Sequence, residues 1–263
     1  MYRYTFILLA GSLLPVANAV ADTPGECRFG IRPGAATDNT FPGYHNYVRV
    51  YLPESPPGPQ GYPVILWYHG HGATLRPNTQ VIHAVTGGEA FLLVGMNYGS
   101  RRFYEELDRH ALAREQARID DVLRELEACV SIDRDSLLLA GYSQGGYAAT
   151  LLGERMLDRI AGLIVLGAGR ADRTGNLPER RDIAGLPMFF AAGADDETYG
   201  AAAEASARLY AGLGAQVSLE RWPDTDHFEG WQWYQEDETR TIGLRNWLND
   251  ALDRVDARRD KTD

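Results

Sequence analysis

Gly141-Tyr142-Ser143-Gln144-Gly145, extended by Gly146, is a G-x-S-x-G pattern set between an apolar run and an alanine-rich helical segment. A serine hydroxyl is a weak nucleophile until a base takes its proton and a third group orients that base. A strand running in and a helix running out would hold Ser143 on a sharp, strained turn, with glycines where the helix crosses the strand. The hydroxyl would then sit beside the helix N-terminus, whose free N–H groups and positive dipole end favour a developing oxyanion. Upstream, Tyr68-His69-Gly70-His71-Gly72 leaves another apolar run. The expected oxyanion donors are the backbone N–H of Gln144 and that of His71. His227, in Trp222-Pro223-Asp224-Thr225-Asp226-His227-Phe228, is the only one of six histidines that follows the last strand pattern, and it is the expected base. Asp195-Asp196 follow Phe189-Phe190-Ala191-Ala192-Gly193. Asp196 is the first choice of acid and Asp195 the alternative. The bland readings are a serine capping a helix in a glycine turn and loops of solvated carboxylates. They weaken when Ser, Asp and His each follow a successive strand. His69 and His71 at i, i+2, with no acidic motif beside them, make a poor zinc site, and Asp224, Asp226 and Glu229 lack a calcium-loop signature. No metal or cofactor is expected.

The elements that must position these groups follow from hydrophobic periodicity. Tyr47–Leu52 alternates, as a half-exposed edge strand does. Val64–Tyr68, Phe91–Met96, Leu137–Ala140, Leu163–Leu166 and Met188–Ala191 are unbroken apolar runs, the mark of strands buried on both faces. Val217–Trp222 reads as a last strand, and helical patterns cover Thr79–Val85, Glu105–Ala128, Gly145–Leu157, Thr198–Leu213 and Glu238–Leu252. Such alternation predicts one α/β domain over residues 44–255, a mostly parallel, doubly wound sheet with helices on both faces. Residues 20–43 are expected to form an N-terminal arm and 256–263 a flexible tail.

Strand, His-Gly-x-Gly loop, G-x-S-x-G corner, Gly193-x-x-Asp196 and a late His together resemble the α/β-hydrolase family. Ser131-Ile132-Asp133-Arg134-Asp135 leading into Leu139–Gly146 resembles its secreted predicted-esterase members: phospholipase/carboxylesterases, feruloyl esterases and polyhydroxybutyrate depolymerase-like enzymes. The resemblance implies cleavage of carboxylic esters through an acyl-enzyme. It also implies Ser143 as nucleophile, Asp196 as acid, His227 as base, and His71 and Gln144 as oxyanion donors. The doublet Asp195-Asp196 departs from the pattern by leaving the acid ambiguous. A serine peptidase or an acyltransferase on the same fold, and a non-catalytic binding protein on a hydrolase fold, are the competing functions.

Substrate contacts are expected from Tyr142, Tyr98, Phe228 and Trp231, with Trp233, Tyr234 and Trp222 nearby. Packing of the last loop against the C-terminal helix is the plainer reading of those aromatics. Gly169–Ile183 is short, polar and Arg-rich, which predicts no large lid and an open site for small-molecule or polymer-borne esters.

The chain has 263 residues and a formal charge of −10, with 44% hydrophobic residues and two Cys. That size supports a self-sufficient core, and the composition excludes disordered, collagen-like and disulfide-scaffolded classes. The acidic balance argues against a nucleic-acid partner. Met1–Ala19 reads as a signal peptide: Arg3, the apolar Phe6–Leu14, then Ala17-Asn18-Ala19 after Pro15. The apolar run is shorter than the roughly 20 residues a membrane span needs. Export to a periplasmic or extracellular space makes Cys27 and Cys129 an expected disulfide that ties the arm to the body.

Overall fold

Eight strands form one sheet in the order β1-β2-β4-β3-β5-β6-β7-β8. The computed structural model describes residues 27–41, 47–71, 76–97, 109–170, 180–229 and 238–260. The elements are β1 (Ala35–Asn39), β2 (Val48–Leu52), β3 (Tyr62–Tyr68), α1 (Gln80–Thr86), β4 (Leu92–Met96), α2 (Arg109–Glu127) and β5 (Ile132–Tyr142). They continue with α3 (Gln144–Arg155), β6 (Gly162–Leu166), α4 (Arg180–Ile183), β7 (Pro187–Gly193), α5 (Glu197–Gly212), β8 (Gln216–Trp222) and a last helix, α6 (Glu238–Arg259). β1 and β2, and β2 and β4, pair antiparallel; every other neighbouring pair is parallel.

The unbroken apolar runs are the parallel strands, and their alternate residues build two separate cores. Val64, Leu66 and Tyr68 of β3 pack with Ile119, Leu123, Ala149, Leu152 and Tyr210 from α2, α3 and α5. Ile65 and Trp67 point the other way, into a layer closed by Val81 and Ile82 of α1 and Leu244, Trp247 and Leu248 of α6. A strand covered by helices on both sides has no polar face, hence the loss of alternation.

Three boundaries differ from the sequence expectations. The arm is part of the sheet, because Ala35–Asn39 pairs with Val48–Leu52 and takes the edge position. β2 is therefore an interior strand, with Val48 and Val50 fully buried. The tail expected from Asp256 is helical through Arg259, whose guanidinium bonds Asp133 and Asp135 at the start of β5. Cys27 and Cys129 form a disulfide across 102 residues. Beside it, the Glu125 carboxylate accepts from the Arg28 backbone N–H at 2.8 Å and from its guanidinium. Cys27→Ser is expected to cost about 2–4 kcal/mol of stability, since cross-linking so long a loop restricts the unfolded chain. Urea unfolding of this variant beside the oxidised wild type checks it. No helix among the described residues is long and apolar enough to cross a membrane. Residues 1–19 and 171–179, which carry the signal-peptide reading and most of the lid reading, lie outside the described residues.

Candidate active site

Ser143 stands between the end of β5 and the first residue of α3, at φ 51° and ψ −121°. A positive φ on a non-glycine residue is strained, and such strain persists only where the surroundings enforce it. Here the enforcement is close packing of α3 on the strands. A Cβ on Gly141 would lie 2.2 Å from the Gly145 carbonyl oxygen, and one on Gly145 would lie 2.0 Å from that of Tyr68. Backbone cannot withdraw from such overlaps, so Gly145→Ala is expected to cost about 3 kcal/mol or more. Loss of soluble protein or a depressed urea midpoint checks this.

His227 lies beyond β8, in a loop bound to the end of β7: the Asp195 N–H donates to Thr225 O at 3.0 Å. Its Nδ1 is 2.8 Å from Asp196 Oδ2 and its Nε2 2.9 Å from Ser143 Oγ. A carboxylate only accepts, so Nδ1 carries the ring proton and Nε2 is free to accept from the serine hydroxyl. The other Asp196 oxygen accepts the Tyr199 N–H at 3.0 Å, capping α5. Ser143 and Asp196 are buried, whereas Asp195 is exposed. The hydrogen-bonded chain Ser143–His227–Asp196 thus joins the ends of β5, β7 and β8, and of the doublet it is Asp196 whose carboxylate meets the imidazole.

Gln144 is the first residue of α3, so its N–H belongs to the turn that lacks intrahelical acceptors. Its side-chain Oε1 lies 2.9 Å from His71 Nδ1, which draws the two loops expected to supply oxyanion donors together. His69 is buried, and that burial pushes its imidazole below the usual histidine range. His69 Nδ1 lies 2.7 Å from Gly70 O and Nε2 3.3 Å from Asn97 Oδ1, so the ring bridges its own loop to the end of β4. His69 is thereby spent on holding its own loop. Among the described residues no group of three His, Cys, Asp or Glu is placed to hold a metal. Asp226 Oδ1 instead accepts the Phe228 and Glu229 N–H groups.

Of the expected substrate contacts, Tyr98 and Trp231 lie outside the described residues, as do Trp233 and Tyr234. Tyr142 is engaged within the protein: its hydroxyl donates to the His227 carbonyl, and its ring lies 5.6 Å from the imidazole, nearly parallel to it. Burial, then the nearby Asp196 and Asp226 carboxylates, push this phenol above its usual range, so it stays a donor. Trp222 is core. Phe228 is 76% exposed and meets His227 edge-on at 5.7 Å. One contributor escaped the sequence reading, Tyr199, although it carried a signal, a ring three places after the acid.

Similar folds bear on this geometry. A thermostable esterase from Pseudomonas putida superposes with a TM-score of 0.62 at 15% identity, over 82% of this chain and 82% of that one. A carboxylesterase from Mesorhizobium loti gives 0.59 at 18% identity, over 81% and 98%. A ferulic acid esterase from Anaeromyces mucronatus gives 0.58 at 15% identity, over 84% and 93%. This is an α/β-hydrolase fold. No family model and no curated protein sequence matches the chain. In an α/β-hydrolase the strand-to-helix corner, the loop after β3 and the loops after β7 and β8 share one end of the sheet, where Ser143, His71, Asp196 and His227 lie.

Proposed function

We propose that this α/β-hydrolase is an exported serine esterase that cleaves carboxylic esters through an acyl-enzyme on Ser143. The observation that carries the reading is the unbroken hydrogen-bonded chain from Ser143 Oγ through His227 to Asp196 Oδ2. As Oγ attacks the ester carbonyl carbon, its proton passes to His227 Nε2, and the carbonyl oxygen takes the negative charge. The N–H groups of Gln144 and His71 face that charge, each donor worth about 2.7–4 kcal/mol in comparable sites. Collapse breaks the acyl C–O bond, and His227 returns the proton to the departing alcohol. Water, deprotonated by the same imidazole, then releases the acid and restores Ser143. Asp196 keeps Nδ1 protonated throughout and stabilises the imidazolium.

Esterases and carboxylesterases among the structural neighbours support an ester as substrate, and the neighbour with ferulic acid bound makes aromatic acyl esters worth including. Phe228, exposed beside His227, is the described aromatic best placed to meet an acyl group. The disulfide supports an oxidising compartment, consistent with cleavage after Ala19.

Product partitioning tests the acyl-enzyme. Esters of one acid with different alcohols, hydrolysed in the presence of methanol, are expected to give one constant ratio of free acid to methyl ester, because all pass through the same intermediate. A ratio that varies with the leaving alcohol, or no ester turnover at all with short-chain and aromatic esters, contradicts the reading.

A further inference from the structure

Tyr199 touches two members of the hydrogen-bonded chain in different ways. Its backbone N–H donates to Asp196 Oδ1 at 3.0 Å, while its ring lies against His227, centroids 3.9 Å apart and planes 23° apart. Tyr147, in the first turn of α3 after Ser143, backs the Tyr199 ring at 6.4 Å. The Asp196–His227 bond fixes the distance of the imidazole but not its tilt. The last torsion of a histidine side chain joins sp³ to sp² carbon and has a broad, shallow preference. A ring left to that torsion would swing Nε2 away from the 2.9 Å contact with Ser143 Oγ. The Tyr142 hydroxyl holds the His227 backbone carbonyl and its ring lies nearly parallel to the imidazole at 5.6 Å, but the flat neighbour in direct contact with the imidazole face is Tyr199 at 3.9 Å. An aromatic face also suits the imidazole once it carries the serine proton, because the ring quadrupole attracts a cation.

We propose that Tyr199 is a positioning residue for the His227 base, its stacked ring holding the imidazole in the plane that joins Asp196 to Ser143. The proposal rests on the esterase reading for its kinetic arm. It needs the ring and not the hydroxyl, since the stacked face and the backbone N–H make both contacts.

Tyr199→Leu removes the aromatic face while keeping an apolar side chain and the N–H that caps α5; Tyr199→Phe keeps the face. With a short-chain p-nitrophenyl ester, Tyr199→Leu is expected to lower kcat about ten- to a hundred-fold, as misplacement of a reacting group does, with KM within about threefold. Tyr199→Phe is expected to stay within about twofold of wild type in both. A second reading is independent of any substrate: the low-field proton resonance of His227 Nδ1–H bonded to Asp196 is expected to be sharp in wild type and Tyr199→Phe and broadened in Tyr199→Leu. If Tyr199→Leu does not fold, Tyr199→Met takes its place in both measurements. Wild-type kcat and an unchanged resonance in the Leu or Met variant overturn the proposal, as does a loss in Tyr199→Phe equal to that in Tyr199→Leu. Should wild type and Ser143→Ala turn over esters equally while the resonance responds as expected, the esterase reading fails and the positioning role stands.

Discussion

Ser143→Ala is expected to lower kcat for a short-chain ester by four to six orders of magnitude, with little change in stability. The size follows from the interdependence of the three groups: without Oγ, His227 has no hydroxyl to deprotonate and Asp196 no imidazolium to stabilise, and removing the nucleophile alone costs nearly as much as removing the whole set. Stability is expected to hold because the strain at φ 51° is imposed by packing around Gly141 and Gly145, not by the hydroxyl. Alanine at a positive φ is tolerated no worse than serine. Steady-state hydrolysis beside a thermal melt checks both halves. A variant retaining more than about one hundredth of the wild-type rate would remove Ser143 from the chemistry.

Asp196→Asn is expected to lower kcat about ten-thousand-fold, while Asp195→Asn changes it by no more than about threefold. The buried Asp196 carboxylate can only accept, which forces the proton onto His227 Nδ1; an amide can present N–H there instead and stabilise the wrong tautomer. Asparagine caps a helix about as well as aspartate, so α5 keeps its N-terminal bond and the comparison is free of a folding defect. Asp195 is exposed, and its backbone rather than its carboxylate ties the two loops together. The opposite ranking of the two variants would transfer the acid role to Asp195.

Much of this arrangement is legible in the sequence because it rests on local patterns. Parallel strands buried on both faces must be apolar throughout, so Val64–Tyr68, Leu163–Leu166 and Met188–Ala191 stand out unaided. The carboxyl ends of Leu137–Ala140, Met188–Ala191 and Val217–Trp222 then locate Ser143, Asp196 and His227 on one edge of the sheet. Elements that exist through pairing alone are not legible. Ala35–Asn39 (AATDN) has no apolar pattern and is a strand because the Val48–Leu52 backbone offers it partners. Asp256–Arg259 reads as a solvated tail, and the distant Asp133 and Asp135, which bond Arg259 together with Asp256 one turn back, tie the last helical turn to β5. The doublet Asp195-Asp196 could not be separated by spacing, because neighbouring residues differ by direction and burial, which belong to the turn after β7. Tyr199 was hidden for a similar reason: on a helix it looks like any half-buried aromatic until His227 arrives from the loop after β8 to lie on it.

The central claim is that Ser143, activated by His227, forms a covalent acyl-enzyme. Its most direct measurement is covalent labelling with a fluorophosphonate, followed by intact mass and peptide mapping. One adduct on the peptide containing Ser143 is predicted in the wild type, much slower in His227→Ala and absent in Ser143→Ala. An unlabelled wild type, or an adduct that persists in Ser143→Ala, would contradict the account.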